Sequence, residues 1–405
     1  MKSSYLFLSL PRHDAAFTST PWQLAKELAV YTPVFFIDHP YTFWEGIRKI
    51  NEPTIQHRWK AYFNKKYKMQ EGIVVVASPF VWPINFLPPG KVYRFFKKWN
   101  EKMVAKRINK VASHFSVAHW LYVNSFDFYF HHVYQHLHHP VHLKVYHCID
   151  PIIKPYSKKH GHYLEPEAAQ QSDLVIATAP SLSKRFKKEG LNQQSYLIPN
   201  AAQVKLFSSN NLSLHPTVQN ISGKVMGYLG SIERRMDYTL LLDALNQLPD
   251  WTLLLAGPVE KQYIPDSILQ HPRVRFTGPV PHEETPSVIN RFDVAIIPFL
   301  KDEASAGIYP LKMFEYLAAG KPVVSTNFNP EILIELVDVV ATCTNANDFA
   351  NACRQVVETE SAQLVEKRKR VAEKNTWTHR AQQWHELIVN FLNAKQHVGT
   401  SISKK

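Results

Sequence analysis

The sequence predicts an α/β protein built from two parallel-sheet domains, and three observations carry that expectation. Short apolar runs alternate with helical patterns along the chain, as strands joined by helical crossovers require. A polar, turn-rich interval at 208–223, SSNNLSLHPTVQNISG, separates one such alternation from a second. Runs such as Pro322-Val-Val-Ser are continuously apolar, the pattern of strands covered on both faces. At 405 residues and 45% hydrophobic, the chain can fill two cores, which excludes a disordered protein.

Taken in order, the first half places strands at Tyr5–Leu10, Val34–Asp38, Ile73–Ala77, Trp120–Val123, Lys144–Cys148, Leu174–Thr178 and Tyr196–Ile198. Thr20 and Pro21 read as the cap and first position of a helix. Ligands of parallel sheets bind beyond the carboxyl ends of strands, so the loop 11–19 is expected on the ligand side. Neither a G-x-G-x-x-G run nor a Walker loop is present to name a nucleotide. Residues 91–111, KVYRFFKKWNEKMVAKRINKV, repeat Val92, Phe95, Phe96, Trp99, Met103, Val104, Ile108 and Val111 at helical spacing, with basic residues opposite. That pattern fits a helix lying on an anionic membrane surface, and equally a helix covering the first sheet.

Seven of the twenty histidines lie between His131 and His147. His132 and His136 could share a helix face, but no nearby carboxylate or cysteine completes a metal site, so they read as solvated or basic-patch residues. The strand ending at Cys148 runs into Asp150. A carboxylate at a strand tip is a candidate site residue, and otherwise caps the turn before Pro151.

The second half places strands near Val225–Leu229, Leu253–Ala256, Val274–Thr277, Val294–Pro298, Pro322–Ser325 and Val339–Ala341. Gly230-Ser-Ile-Glu-Arg-Arg follows the first of these and offers backbone N–H groups, with Arg234 or Arg235, to a phosphate. Residues 309–326, YPLKMFEYLAAGKPVVST, join a loop, a short helix and a buried strand. Pro310 suits the first helical turn, where its missing N–H has no partner to lose. Lys312 and Glu315 lie three apart on one face, so lysine and helix N-terminus can meet phosphate while the glutamate accepts from sugar hydroxyls. The plain alternative is an exposed ion pair worth about 0.3 kcal/mol. A last helix opens at Trp377 and runs to 394, and residues 395–405 are expected to be disordered.

The net charge of +13 sits entirely in the first half. Residues 1–205 hold 27 Lys and Arg against 13 Asp and Glu, and residues 48–110 alone hold 15 against 3. The asymmetry points to an anionic partner for that half, membrane lipid or a polyanionic acceptor ahead of nucleic acid, for which no motif is present. Three cysteines make neither a disulfide framework nor a metal motif, which fits a reducing cytoplasm. The apolar run at the N-terminus is too short for a signal peptide and no stretch suits a membrane span, so an integral membrane protein is not expected.

PLKMFEYLAAGKPVVST resembles the donor-binding segment of the family 4 (group 1) glycosyltransferases, nearest the subgroup of surface-polysaccharide and teichuronic-acid-type transferases. VYHCID, SDLVIATAPSLSKRF (172–186) and YLIPNA resemble three N-domain motifs of that family in order and spacing, and 273–299 resembles the segment whose Gly-x-Val loop lies against the nucleobase. The resemblance implies the GT-B fold, two Rossmann-like domains facing a cleft. The acceptor-side domain would be 1–207, the linker 208–223, the nucleotide-sugar domain 224–376, and a helix at 377–394 would cross back to brace the first.

It also implies a hexosyltransferase of cell-envelope polysaccharide biosynthesis, peripheral on the inner membrane face. That enzyme would move sugar from a nucleotide diphosphate, with a lean to UDP, to a polysaccharide or lipid-linked acceptor. Configuration would be retained, with no metal and no cofactor beyond the nucleotide-sugar co-substrate. Gly230, Ser231, Arg234, Gly278, Val280, Pro310, Leu311, Lys312 and Glu315 would bind the donor, and Asp150 would be catalytic. Gly307 stands where many members carry a second glutamate, and Ser231 and Met236 where many carry arginine and lysine. Those departures keep open another GT-B nucleotide-sugar enzyme, such as an epimerase, or a non-catalytic nucleotide-sugar-binding protein.

Overall fold

The computed structural model describes residues 2–14, 19–63, 66–152, 155–209 and 213–402. It divides into two units, Met1–Pro199 with Arg380–Lys405, and Asn200–His379.

The first unit is an eight-stranded sheet of β1 (Lys2–Ser9), β2 (Val34–Asp38), β3 (Tyr67–Gln70), β4 (Ile73–Val76), β5 (Val117–Ser125), β6 (Val141–Cys148), β7 (Leu174–Ala177) and β8 (Ser195–Leu197), in the order β3-β4-β2-β1-β5-β6-β7-β8. Every pairing is parallel except β3 with β4, which is antiparallel. β3 was not legible beforehand. Its YKMQ run lacks an apolar pattern, and it forms because Glu71 (φ 50°) and Gly72 (φ 79°) make a two-residue hairpin turn with both residues at positive φ. Strand order reverses beside β1, which has β2 on one side and β5 on the other, so the ends of β1 and β5 frame a crevice suited to ligands.

The basic helix Lys91–Ala112 buries Val104, Ile108 and Val111, but Val92, Phe95, Phe96 and Trp99 stay exposed. Lys97, expected on its solvated basic face, is instead buried and donates to Glu101 at 2.5 Å. The helix Trp377–Ile402 starts in the second unit, and from Arg380 it groups with the first. Trp384 packs edge-on to His147, His385 stacks on Tyr31, and Lys395 pairs with Asp173 at 2.9 Å. It continues past 394 through residues expected to be disordered, and 403–405 lie outside the described residues. Among the described residues no helix is long and apolar enough to cross a membrane.

The second unit is a six-stranded parallel sheet of β9 (Lys224–Leu229), β10 (Trp251–Ala256), β11 (Val274–Gly278), β12 (Val294–Ile297), β13 (Val323–Thr326) and β14 (Val340–Cys343), in the order β11-β10-β9-β12-β13-β14. The interval 208–223, expected to be a linker, belongs to this unit, with Val218 buried in its core and Ile221 packed against it. Residues 210–212 of that interval lie outside the described ones. Polar composition reported exposure there, and two apolar side chains were enough to anchor it. Strand order reverses between β9 and β12, which places the turn at Gly230 in the crevice position of the second sheet.

Candidate functional site

Three glycines end three neighbouring strands of the second unit. Gly230 (φ 147°), Gly257 (φ 132°) and Gly278 (φ 72°) all adopt the backbone region that side chains disfavour. The Gly230 N–H donates to Ala256 O at 2.7 Å and the Gly257 N–H to Gly278 O at 3.0 Å, so the turns lock one another. A Cβ on Gly230 would overlap Cε of Lys312 and lie 2.7 Å from its Nζ. The lysine therefore lies directly across the turn after β9, an approach that only glycine permits.

Lys312 starts from the short helix Leu311–Ala318. Pro310 is its cap residue (φ −75°, ψ 115°) and not its first helical residue, as had been expected. No side chain caps this end, and the Met313 N–H already bonds Pro310 O at 3.2 Å, which leaves the N–H groups of Leu311 and Lys312 for a ligand. Tyr316, buried one turn on, accepts from the Leu229 N–H at 2.8 Å and donates to Leu229 O at 3.4 Å, clamping the end of β9 to the helix.

Lys312 and Glu315 are half-buried, and among the described residues neither makes a hydrogen bond or an ion pair within 4 Å. Burial lowers the Lys312 ammonium below its ordinary range, opposed by Glu315, with Arg235 lowering it further. Burial likewise raises the Glu315 carboxyl, opposed by Lys312. A cation and an anion withdrawn from water, without direct partners, at a helix start and a sheet's turning point form a site that an anionic ligand with hydroxyls would complete.

Residues 223–359, which contain all of this geometry, match the family model described as glycosyl transferases group 1. The segment resembles a group 1 glycosyl transferase domain. A Bacillus subtilis (strain 168) protein, provisionally named as the teichuronic acid biosynthesis glycosyltransferase TuaH, is 27% identical over 234 residues. The alignment spans 56% of this chain and 59% of that relative. Among solved structures, a sucrose-phosphate synthase of Thermosynechococcus elongatus superposes with TM-score 0.68 at 16% identity, over 97% of this chain and 100% of that one. Anabaena HepE in complex with UDP and glucose superposes with TM-score 0.64 at 16% identity, over 96% and 99%. These likenesses establish the GT-B fold, two Rossmann-like units with a C-terminal helix.

The second unit also holds the other residues expected at this site. Ser231 is half-buried in the same turn, and its carbonyl accepts from the Tyr228 hydroxyl at 3.3 Å. Arg234 is exposed. Arg235 is the arginine that bears on Lys312, while it pairs with Glu233 and lies over the Phe299 ring at 5.7 Å. Gly278 joins the glycine cluster at β11, and Val280 packs half-buried against the domain core. The approach to the helix is held by Asn329 Nδ2, donating to Ala306 O at 2.9 Å, and by Asn200 Nδ2, donating to Tyr309 O at 3.2 Å. Tyr316 lies within the motif but carried no sign of its clamp on Leu229, and Asn329, three residues past the motif, carried no sequence signal.

In the first unit Asp150 is exposed just beyond β6, and its carbonyl accepts from Cys148 Sγ at 3.7 Å. His13, Asp14 and Asp38 alone among the described residues bring three potential metal ligands together, but Arg58 donates to Asp38 at 2.8 Å and to Asp14 at 3.0 Å. Its guanidinium already compensates that charge. The clustered histidines disperse. His147 is buried against Ser125 Oγ at 2.9 Å and held down to about 3 by burial, His132 is held at about 3 by burial and by His131, and His142 stacks on His119 at 3.7 Å.

Proposed function

We propose that the chain is a membrane-peripheral glycosyltransferase, moving a sugar from a nucleotide diphosphate donor, UDP-linked by preference, to a polysaccharide or lipid-linked acceptor on the inner membrane face. The observation that carries the reading is Lys312 lying across Gly230 at the start of an uncapped helix, with unpaired Glu315 one turn on. Lys312, the two free N–H groups and the turn after β9 would receive the diphosphate, and Glu315 the ribose. As the diphosphate departs, its growing charge falls on preorganised donors, each worth on the order of 10²–10³-fold in rate, without calling on a metal. Retention of configuration and a role for Asp150 in orienting a hydroxyl belong to the same proposal. HepE, named with UDP and with UDP-glucose, supports the choice of nucleotide. The exposed aromatic half of Lys91–Ala112 and the basic excess around it support the membrane face.

The test is a thermal-shift screen of the purified chain against UDP-, GDP-, dTDP- and ADP-sugars with and without Mg²⁺, since a ligand of the folded state raises its melting temperature. A metal-independent shift with one nucleotide, abolished in Lys312→Ala and Glu315→Ala, is the expected result. Unchanged donor affinity in both variants would remove the assignment. Binding without turnover on any acceptor extract would favour the non-catalytic reading that Gly307, Ser231 and Met236 keep open.

A further inference from the structure

The turn after β9 is braced on both sides. The Ile232 N–H donates to Pro258 O at 2.8 Å and the Glu260 N–H to Ile232 O at 2.9 Å, so the chain beyond β9 stays bridged to the chain beyond β10. On the other side the Asp237 N–H donates to Pro298 O at 2.8 Å and the Leu300 N–H to Arg235 O at 2.7 Å, which ties the turn to the segment leaving β12. Within the turn, the Glu233 carbonyl accepts from the Met236 N–H at 3.2 Å and from the Tyr238 hydroxyl at 2.8 Å. The backbone of 231–237 is therefore fixed, and movement there belongs to side chains.

Two of those side chains bear on Lys312. Nε of Arg235 donates to a carboxylate oxygen of Glu233, and the guanidinium lies 5.7 Å over the Phe299 ring. Phe299 meets Tyr228 edge-on at 6.1 Å, and a Cβ on Gly230 would lie 3.0 Å from the Tyr228 hydroxyl and 2.7 Å from Lys312 Nζ. Arg235, Phe299, Tyr228 and Lys312 thus follow one another around Gly230. Burial is the largest influence on the Lys312 ammonium, which it lowers, and on the Tyr228 hydroxyl, which it raises; on each, Arg235 pulls down and Glu233 pushes up. The formal charges of the cluster cancel, Lys312 and Arg235 against Glu315 and Glu233. A diphosphate brings at least two negative charges and meets one of the two cations already engaged. Glu233 has no ion-pair partner but Arg235 among the described residues, and the Arg235 side chain is 29% exposed, so a phosphate can reach it. A guanidinium takes carboxylate or phosphate in the same forked geometry, and a rotamer change releases Glu233 without moving the turn.

Resting on the donor-site reading of Lys312, we propose that Glu233 and the donor's diphosphate compete for Arg235. The carboxylate holds the guanidinium between turnovers, the phosphate takes it as the nucleotide sugar binds, and Glu233 reclaims it as the nucleoside diphosphate leaves. Arg235 is then a second cation for the diphosphate beside Lys312, four residues beyond Ser231 on the same turn. Glu233 is an internal competitor. It lowers affinity for the diphosphate and so favours release of the product, which two unopposed cations would retain.

The test is titration calorimetry of the full chain with UDP, GDP, dTDP and ADP, with the matching nucleosides as controls. Glu233→Gln keeps the carbonyl that holds the turn and gives Arg235 a neutral partner in place of a charged one. The diphosphate that binds should therefore bind about tenfold more tightly than to wild type. Glu233→Ala, which removes the competing group outright, should show the same gain, and a misfolded variant cannot bind more tightly. Arg235→Gln should bind about tenfold more weakly, and in that background Glu233→Gln should gain less than about twofold, because no guanidinium is left to compete for. Nucleosides, which carry no phosphate, should gain nothing in any variant. Binding in both Glu233 variants that is equal to wild type or weaker, with Lys312→Ala still losing the nucleotide, overturns the competition and leaves the donor site standing. A gain that persists in full without Arg235 reduces Glu233 to plain repulsion and overturns the competition as well. Absence of binding in wild type and in both Glu233 variants overturns the donor-site reading and the competition together.

Discussion

Gly230→Ala concentrates the donor-site reasoning in one methyl group. The new Cβ would occupy the space of Lys312 Cε, and alanine would have to hold φ near 147°, a strain of roughly 1–3 kcal/mol. In a unit of the size of Asn200–His379 each kcal/mol moves the melting temperature by about 2–4 °C, so a fall of roughly 2–12 °C is expected for that unit. The displaced ammonium would lose a charge-assisted contact to the diphosphate worth about 1.5–3 kcal/mol. That corresponds to roughly 10–150-fold weaker nucleotide-sugar binding by titration calorimetry. The decisive assay is a double-mutant cycle with Lys312→Ala. Because the methyl acts by moving the lysine, the double variant should bind no more weakly than Lys312→Ala alone, although its backbone strain persists. Strictly additive losses, or wild-type affinity in Gly230→Ala, would refute the idea that the turn exists to seat Lys312.

Other consequences are separable. Tyr316→Phe leaves the buried Leu229 N–H without its partner and should cost about 1–3 kcal/mol in urea unfolding; an unchanged midpoint would remove the clamp from the account. For Asp38, burial raises the carboxyl but the His13 hydrogen bond and the Arg58 charge overcome it, leaving it at about 2 against an ordinary 3.8. A lowered folded value means stability present above pH ~4 and lost as pH falls towards 2, here about 2 kcal/mol. Asp38→Asn should therefore show a shallower acid loss of urea midpoint than wild type, and equal slopes would contradict the pairing. Phe95→Ser with Trp99→Ser should release the chain from anionic vesicles in cosedimentation, as should Lys98→Gln with Lys102→Gln; attachment surviving both makes that helix purely structural. Lys97→Gln should instead destabilise by roughly 3–5 kcal/mol, because it strands buried Glu101, and unchanged stability would contradict the buried pair.

What the chain determined by itself is whatever local patterning encodes. Parallel strands covered on both faces must be continuously apolar, which made IVVV at β4 and VVST at β13 readable. Lys312 and Glu315 were readable because one helix turn sets their spacing. Tertiary structure decided the rest. Periodicity shows which residues share a helix face but not what covers it, so the aromatic start of Lys91–Ala112 is exposed while Lys97 is buried. Gly230 and Lys312 stand more than eighty residues apart, and nothing local to either partner specifies the other. Only the strand order brings them together. In the second sheet the crossovers leave on opposite sides of β9, and the chain must part there, which is why the site lies at that strand's end.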